Sequence, residues 1–145
     1  MNISSEVFVN NGAVPRRYTC DGENVNPPLR FEDVPAGAES LTLIVEDPDA
    51  PAGTWVHWTL WNLSPDRTGI EEDSVPGEAA EGRTGFGEVG YNGPCPPDEE
   101  SHRYFFKLYA LDQMLELDPG NNPEALRDSM VGHILAEAQL IGIYR

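Results

Sequence analysis

The chain has 145 residues, of which 39% are hydrophobic and 23% charged, and this is enough apolar material for the core of one globular domain spanning residues 1–145. Its 25 acidic and 9 basic side chains leave a formal net charge of -16, which repels nucleic-acid backbones and anionic membrane surfaces. Length and composition therefore exclude a large multidomain protein, and the net charge argues against nucleic-acid binding. Acids spread along the whole chain are typical of a halophilic protein surface.

The sequence carries no targeting or membrane-spanning signal. No segment reaches the roughly 18 apolar residues needed to cross a bilayer, and Met1–Val14 lacks the basic and apolar regions of a signal peptide. We therefore expect a cytoplasmic protein without membrane insertion. Since a cytoplasmic domain with a full core has little need of a disulfide, we also expect Cys20 and Cys95 to be free thiols, with a bridge between them as the alternative.

Three segments have the pattern of strands that are covered on both faces. Apolar and β-branched residues occupy both parities of Ser40–Glu46, Trp55–Leu63 and Tyr104–Leu111. Glycine and proline are scattered between these short β-rich runs as turn residues. The sequence therefore predicts a mostly β fold in which the three segments form the middle of a sheet packed on both sides.

The region between the second and third segments, Ser64–Glu100, is rich in glycine, proline and acids. It predicts a long ordered loop with one short strand or turn of helix. Loops of this length in a compact domain are usually functional, which directs attention to Gly82–Pro97.

One helix is predicted near the C-terminus. Asn122 and Pro123 supply an N-cap and a first helical residue. Apolar residues then follow at helical spacing, with Gly132 as a break between two parts of the helix. They are Leu126, Met130, Ile134, Leu135 and Ala138. Leu140–Tyr144 returns to strand character.

Three ionisable side chains fall at strand ends or within buried strands, namely Asp47, His57 and His102. Alternation along a strand places His57 on a face with Trp55, Thr59 and Trp61, and His102 on a face with Tyr104, Phe106 and Leu108. Each has an ordinary interpretation, since a carboxylate after a strand is often a turn cap and a histidine among aromatics is often a core residue. Two imidazoles and a carboxylate also occur together in some metal sites, but no metal-binding motif accompanies them here.

No activated nucleophile is recognisable in the sequence. Cys95 lies between Pro94 and Pro96, which offers no helix N-terminus to activate a thiol. GxSxG, GxGxxG and P-loop motifs are absent. In Gly90–Pro97, by contrast, glycines allow a close approach of the backbone to a ligand, and the remaining N–H groups suit an anion nest. We therefore expect a binding site with no catalytic residue, metal or cofactor.

Six blocks in a fixed order span nearly the whole chain. They are CDGENVNPPL (Cys20–Leu29), DPDAP (Asp47–Pro51), WVHW (Trp55–Trp58), GYNGPCPP (Gly90–Pro97), HRYFFKLYALD (His102–Asp112) and GHILAEAQLIGIY (Gly132–Tyr144). With these blocks the sequence resembles the phosphatidylethanolamine-binding protein family, in its short prokaryotic, Raf-kinase-inhibitor-like branch. The resemblance implies a central antiparallel β-sheet packed on a smaller sheet, with a helix near the C-terminal end.

The resemblance also implies a small pocket for phosphate or a phosphorylated headgroup. Its members would be the side chains of Asp47, His57, His102 and Tyr104, together with the backbone at Gly93 and Cys95. Cys95 stands where the eukaryotic members have glycine, so the local backbone differs. Those members carry a longer C-terminal segment near the pocket, so the resemblance does not by itself imply their kinase and lipid partners for this chain.

We therefore expect a non-enzymatic protein that binds a small anionic or phosphorylated ligand, or that inhibits a partner enzyme such as a kinase or protease. The competing class is an enzyme, either a hydrolase or a metal-dependent catalyst, that uses Asp47, His57 and His102. A third class is a protein inhibitor whose Ser64–Glu100 loop contacts the target enzyme. An inhibitor and a ligand carrier are equally consistent with the sequence, and so are a monomer and a homodimer.

Overall fold

Two β-sheets and one α-helix make up the fold, in a computed structural model that describes residues 1–145. The strands in chain order are β1 (Asn2–Ser4), β2 (Gly12–Ala13), β3 (Leu29–Glu32), β4 (Ser40–Asp47), β5 (Trp55–Leu63), β6 (Gly69–Ile70), β7 (Ala80–Glu81), β8 (His102–Leu111) and β9 (Ile134–Tyr144). A 3-10 turn spans Arg16–Tyr18, and α1 spans Pro123–Met130. No helix combines the length and the apolar character that a bilayer span requires.

The larger sheet has the strand order β2-β9-β8-β4-β5-β7, and the smaller has the order β1-β3-β6. All pairings are antiparallel except that of β2 with β9. Every residue of β4 is buried, because it lies between β5 and β8 and is covered on both faces. The predicted mostly β architecture, with a central sheet packed on a smaller one and a C-terminal helix, is confirmed.

The two faces of β4 contribute to different apolar clusters. Leu41, Leu43 and Val45 pack in the larger cluster, which also contains residues of β1, β3 and β6 and therefore joins the two sheets. Ile44 packs in the second cluster together with Leu126 and Met130 of α1, and with Trp61 of β5. The small sheet thus covers one face of the central strand and the helix covers the other.

The helix is shorter than the sequence predicts. Its start is as expected, since the Asn122 side chain accepts a hydrogen bond from Ala125 N at 2.8 Å and Pro123 is the first helical residue. The predicted extension to Ala138 is wrong. α1 ends at Met130, Gly132 has a φ of 83°, which glycine adopts without steric penalty, and the chain then enters β9.

Two predictions for the loops need correction. The Ser64–Glu100 region contains two short strands, β6 and β7, and an isolated bridge between Arg83 and Val89, where one short element was expected. The expectation of free thiols is wrong, because Cys20 and Cys95 form a disulfide.

The disulfide follows from the packing of two loops that are distant in sequence. Cys20 N donates to Pro94 O at 3.1 Å, and the two cysteine Cα atoms are 5.4 Å apart, within the range that a disulfide spans. A Cβ at Gly93 would lie 2.3 Å from Tyr18 O, so only glycine permits this approach. The two cysteines come together only in the folded chain, so the expected cellular compartment did not predict their bond.

Candidate ligand-binding site

The ends of β4, β5 and β8 bring four of the predicted side chains together. Asp47 is the last residue of β4, His57 is the third residue of β5, and His102 and Tyr104 are the first and third residues of β8. All four are buried, with at most 3% of each residue exposed. Neighbouring antiparallel strands thus collect polar groups at one end of the apolar sheet.

A β-bulge orients His57. Along β5, Trp58 is paired with Val45 and Val56 with Glu46, so His57 is an extra residue with no partner on β4. The bulge places His57 and the next residue on the same side of the sheet. The expectation that Thr59 and Trp61 share the face of His57 is therefore wrong, since Trp61 packs on the helix side.

A cavity of about 350 Å³ lies beside this cluster. Asp47, His57 and Tyr104 supply its polar groups, while Trp55 and Phe86 contribute aromatic walls. Its remaining lining comes from two loop segments, Ala50–Ala52 and Cys95–Pro97. A few convergent polar groups in a largely apolar cavity are typical of a small-molecule site.

His102 lies between two carboxylates. Its Nδ1 is 2.6 Å from Asp47 Oδ2, and its Nε2 is 2.9 Å from Asp98 Oδ1. Burial lowers the pKa of His102, but the hydrogen bonds and negative charges of Asp47 and Asp98 outweigh burial, and the net pKa is raised above 6.5. The imidazolium form satisfies both contacts because it carries two N–H donors.

Asp47 is fixed from two sides. Its Oδ2 accepts from His102, and its Oδ1 accepts from the backbone N–H of Asp49 at 2.8 Å. Asp49 is in turn held by the Arg103 guanidinium at 2.9 and 2.8 Å, and the hydrogen bonds from Arg103 lower the pKa of Asp49 to about 2. Asp47 therefore acts on the site by orienting His102.

His57 has the opposite electrostatic environment. Its Nδ1 donates to the carbonyl oxygen of Asn92 at 2.6 Å, which leaves Nε2 as an acceptor in the neutral ring. Burial is the dominant influence and lowers the pKa of His57 below 6.5. The ring meets the edges of Tyr104 and Phe86, with centroid distances of 5.2 and 5.5 Å. The site thus combines one histidine whose pKa is raised with another whose pKa is lowered.

The Tyr104 hydroxyl is buried and has no hydrogen-bond partner in the protein. Burial raises the pKa of Tyr104, so the side chain remains a phenol with an O–H donor. Buried polar groups are nearly always paired. An unpaired hydroxyl on a residue that lines the cavity therefore marks a position for a hydrogen-bonding ligand.

The two predicted backbone positions have different roles. Cys95 lines the cavity and is anchored by its disulfide. Gly93 is not among the lining residues, and its N–H already donates to Asn24 Oδ1 at 2.9 Å. Gly93 therefore supports the packing of the loop against the segment around Tyr18, and its amide is not free for an anion.

Sequence reasoning missed Asp98 as a member of the site. The available signal was its spacing, since Asp98 lies four residues before His102, but a carboxylate in the run Asp98–Glu100 is usually solvated. No group of three or more histidine, cysteine or acidic side chains is arranged to hold a metal ion.

Comparisons with known proteins agree on one family. The sequence model described as phosphatidylethanolamine-binding protein matches residues 4–145. A UPF0098 protein of Methanothermobacter thermautotrophicus is 49% identical over 150 residues, which cover 100% of this chain and 99% of that protein. A UPF0098 protein of Pyrococcus abyssi is 46% identical, with 97% of this chain and 83% of that protein covered.

Two solved structures are similar over their whole length. A putative phosphatidylethanolamine-binding protein homologue from Chlamydia trachomatis has a TM-score of 0.95 at 43% identity, with 99% of this chain and 96% of that one covered. Escherichia coli YbcL, described as a new member of the mammalian family, has a TM-score of 0.92 at 28% identity, with 99% and 97% covered. These matches confirm the resemblance of the six sequence blocks, and the chain belongs to the phosphatidylethanolamine-binding protein family.

Proposed function

We propose that this protein is a non-catalytic binding protein for a small phosphorylated anion, which it holds in the cavity at the ends of β4, β5 and β8. The unpaired, buried hydroxyl of Tyr104 is the observation that carries the proposal, because it offers a donor that the protein itself does not use. Family membership is consistent with a binding or modulating role. Trp55 and Phe86 would pack against an apolar group attached to the anion.

The contacts of the ionisable groups argue for binding over hydrolysis. Both oxygens of Asp47 and both nitrogens of His102 are engaged within the protein. General acid–base catalysis needs a group that is free to exchange a proton with the substrate. His57 Nε2 is free and His102 Nε2 is covered only by Asp98, but no serine, threonine or free cysteine lines the cavity as a nucleophile. The proposal therefore assigns a recognition role to the cluster.

The test is a calorimetric titration of the wild-type protein and the Tyr104→Phe variant with inorganic phosphate and with phosphoethanolamine. Tyr104→Phe removes one unpaired hydroxyl, so we expect an unchanged fold and an affinity lower by about tenfold or more, as for a hydrogen bond to a charged group. Tyr109→Phe is the matched control, because Tyr109 lies on the same strand and does not line this cavity. Equal affinities for phosphate in wild type and Tyr104→Phe would contradict the proposal.

The enzyme alternative has a direct test. Steady turnover of a phosphate monoester by the purified protein, lost in His57→Gln, would replace the binding proposal with a hydrolase. A requirement for added metal in the same assay would identify the metal-dependent form of that alternative. The proposal expects no turnover above the uncatalysed rate under either condition.

Modulation of a partner enzyme is part of the proposal. Phe86 and Val89 are 44% and 51% exposed, on the loop that forms one wall of the cavity, and they offer apolar contacts to a kinase or protease. Inhibition assays against purified serine proteases and kinases, with Phe86→Ser and Val89→Ser as comparisons, test this role. Light scattering of the same samples reports whether the protein is a homodimer.

The cytoplasmic location and the halophilic character also belong to the proposal. The Cys20–Cys95 disulfide speaks against a strongly reducing compartment, so cell fractionation is the deciding measurement for location.

For the charge of -16 we expect the unfolding temperature to rise with KCl, since the Debye length falls from about 10 Å at 0.1 M to about 3 Å at 1 M. A flat or falling unfolding temperature would contradict the salt adaptation.

A further inference from the structure

Asp98 occupies a position that an external anion would be expected to take. Its carboxylate lies 2.9 Å from Nε2 of His102, the ring nitrogen that does not face Asp47. The side chain of His102 is 3% exposed, whereas that of Asp98 is 36% exposed. The protein therefore covers the outer N–H donor of its buried imidazolium with a carboxylate of its own.

The two carboxylates on His102 are held very differently. Asp47 is 3% exposed, belongs to β4, and accepts a second hydrogen bond from Asp49 N. Asp98 lies in the segment before β8, which has no regular structure, and its other contact is from Glu100 N at 3.2 Å within the same segment. The contact with Asp47 is thus part of the sheet, while the contact with Asp98 can open without breaking a strand pairing.

The segment is anchored close to Asp98 on both sides. Three residues before it, Cys95 is cross-linked to Cys20, and four residues after it, His102 begins β8. Pro96 and Pro97 restrict the backbone between the disulfide and Asp98. A carboxylate tethered this closely acts at a high effective concentration, of millimolar order or above for short tethers.

We propose that Asp98 is a specificity-determining residue that competes with the ligand for Nε2 of His102, so that an anion binds by displacing the Asp98 carboxylate. This inference rests on the proposed function and deepens it. Monovalent anions such as chloride and acetate do not displace a tethered carboxylate that already matches their charge. A phosphomonoester dianion does, because it brings a second charge to the imidazolium and further oxygens to the Tyr104 hydroxyl. The ligand class selected is therefore the dianionic phosphomonoester.

The ring of His102 reports on this contact directly. The groups that face it are Asp47 from β4 and Asp98 from the preceding segment. Nearby charged or titratable groups are Arg103 and Tyr104 on the same strand, His57 on β5, Asp49 after β4, and Tyr144 and Arg145 at the end of β9. Removal of the Asp98 charge leaves all of these in place, so a change in the His102 titration isolates the Asp98 contact.

The experiment compares Asp98→Asn with Glu99→Gln in the full chain. Glu99 is the neighbouring exposed acid and has no hydrogen bond to His102, so the two variants change the net charge equally. In the absence of ligand, NMR titration of the His102 ring is expected to give a lower pKa in Asp98→Asn than in wild type, and no change in Glu99→Gln. Thermal unfolding checks that both variants are folded, and Asp98→Ala repeats the test without an amide that could replace the contact.

The second measurement is the affinity for inorganic phosphate, by calorimetry, with and without added chloride. We expect Asp98→Asn to bind phosphate at least about tenfold more tightly than wild type and to become sensitive to competition by chloride, while Glu99→Gln changes affinity less than twofold. Equal phosphate affinity in wild type and Asp98→Asn would overturn the role of Asp98 and leave the binding proposal standing. Absence of phosphate binding by every variant would overturn both.

Discussion

Glu46 and Asp47 are consecutive buried acids at the end of β4, with 7% and 3% exposed. Because successive side chains of a strand point to opposite faces, Glu46 faces the helix and Asp47 faces the cavity. Glu46 has Lys107 Nζ at 2.5 Å on one oxygen and the Arg127 guanidinium of α1 on the other. Asp47 has a histidine as its cation and a backbone N–H as its second partner.

The difference lies in how each buried charge is compensated. Lys107 and Arg127 reach Glu46 from the protein surface and each contacts one of its two oxygens, so that cluster is complete and structural. The cation of Asp47 is titratable, a second carboxylate shares it, and an unpaired hydroxyl lies on the next inward-facing residue of β8. Buried charge by itself therefore does not indicate a binding site. The proposed binding site differs from the Glu46 cluster in that a titratable cation, an unpaired donor and a cavity lie together there.

The largest expected effect comes from the covalent bond that holds the cavity loop. The disulfide closes a loop with a sequence separation of 75 residues, and its removal in the Cys20→Ala/Cys95→Ala variant should lower the free energy of unfolding by about 4 kcal/mol. Urea denaturation of the oxidised wild type and the double variant measures the difference.

Reductant provides the control for this prediction. It should destabilise the wild-type protein and leave the double variant unchanged. Two reactive thiols in the denatured, non-reduced wild type would show that the bond is absent.

The second prediction compares Glu46 with Asp47 by replacing each with its amide. Glu46→Gln removes the charge that two cations share, so the free energy of unfolding should fall by about 2 kcal/mol while the His102 titration stays as in wild type. Asp47→Asn should lower the pKa of His102, because it removes a hydrogen-bonded negative charge from the ring. Denaturation measures the free energy of unfolding of both variants, and NMR titration measures the pKa of His102 in each. If Glu46→Gln also changes the pKa of His102, the two faces of the sheet are not independent.

The smallest effect is the pH dependence of stability, in which the two histidines act in opposite directions. The folded-state pKa of His102 is raised, so its contribution is fully present below the unfolded value of 6.5 and is lost as the pH rises through the folded pKa. The folded-state pKa of His57 is lowered, so its contribution is present above 6.5 and is lost as the pH falls through the folded pKa.

Unfolding measured from pH 5 to pH 9 tests this opposition. His102→Gln should flatten the decline on the alkaline side, and His57→Gln should flatten the decline on the acidic side. We expect each change to be smaller than the effect of Glu46→Gln. A loss of both slopes in a single variant would mean that the two histidines titrate as a coupled pair.

Strand parity predicted which side chains of one strand share a face, because alternation is a local property of the chain. Alternation along β8 predicted that His102 and Tyr104 share a face, and alternation along β4 predicted that Asp47 follows Val45 on its face. In the structure His102 contacts Asp47, and Asp47 and Tyr104 line the cavity. The same rule failed for Thr59 and Trp61, because the bulge at His57 depends on the register between β4 and β5. Alternation can be inferred from the sequence of one strand, whereas the register depends on how two strands pair.

Segment Ile134–Ala138 shows the same limit in another form. Its apolar spacing fits a helix, yet it forms β9, since β8 offers a long edge for antiparallel pairing and Gly132 ends the helix before it. The Asn122–Pro123 start of α1 was predictable, because a cap and a first-turn proline act through neighbouring backbone groups alone.

The sequence by itself determined the three central strands β4, β5 and β8, the helix start and the family, because these depend on side-chain alternation, capping and residue order along the chain. Only the tertiary structure decided the Cys20–Cys95 bond and the raised pKa of His102. The physical reason is distance in sequence. Asp47 reaches His102 across 55 residues, and burial then strengthens their interaction, so the properties of the ring arise from the assembled site.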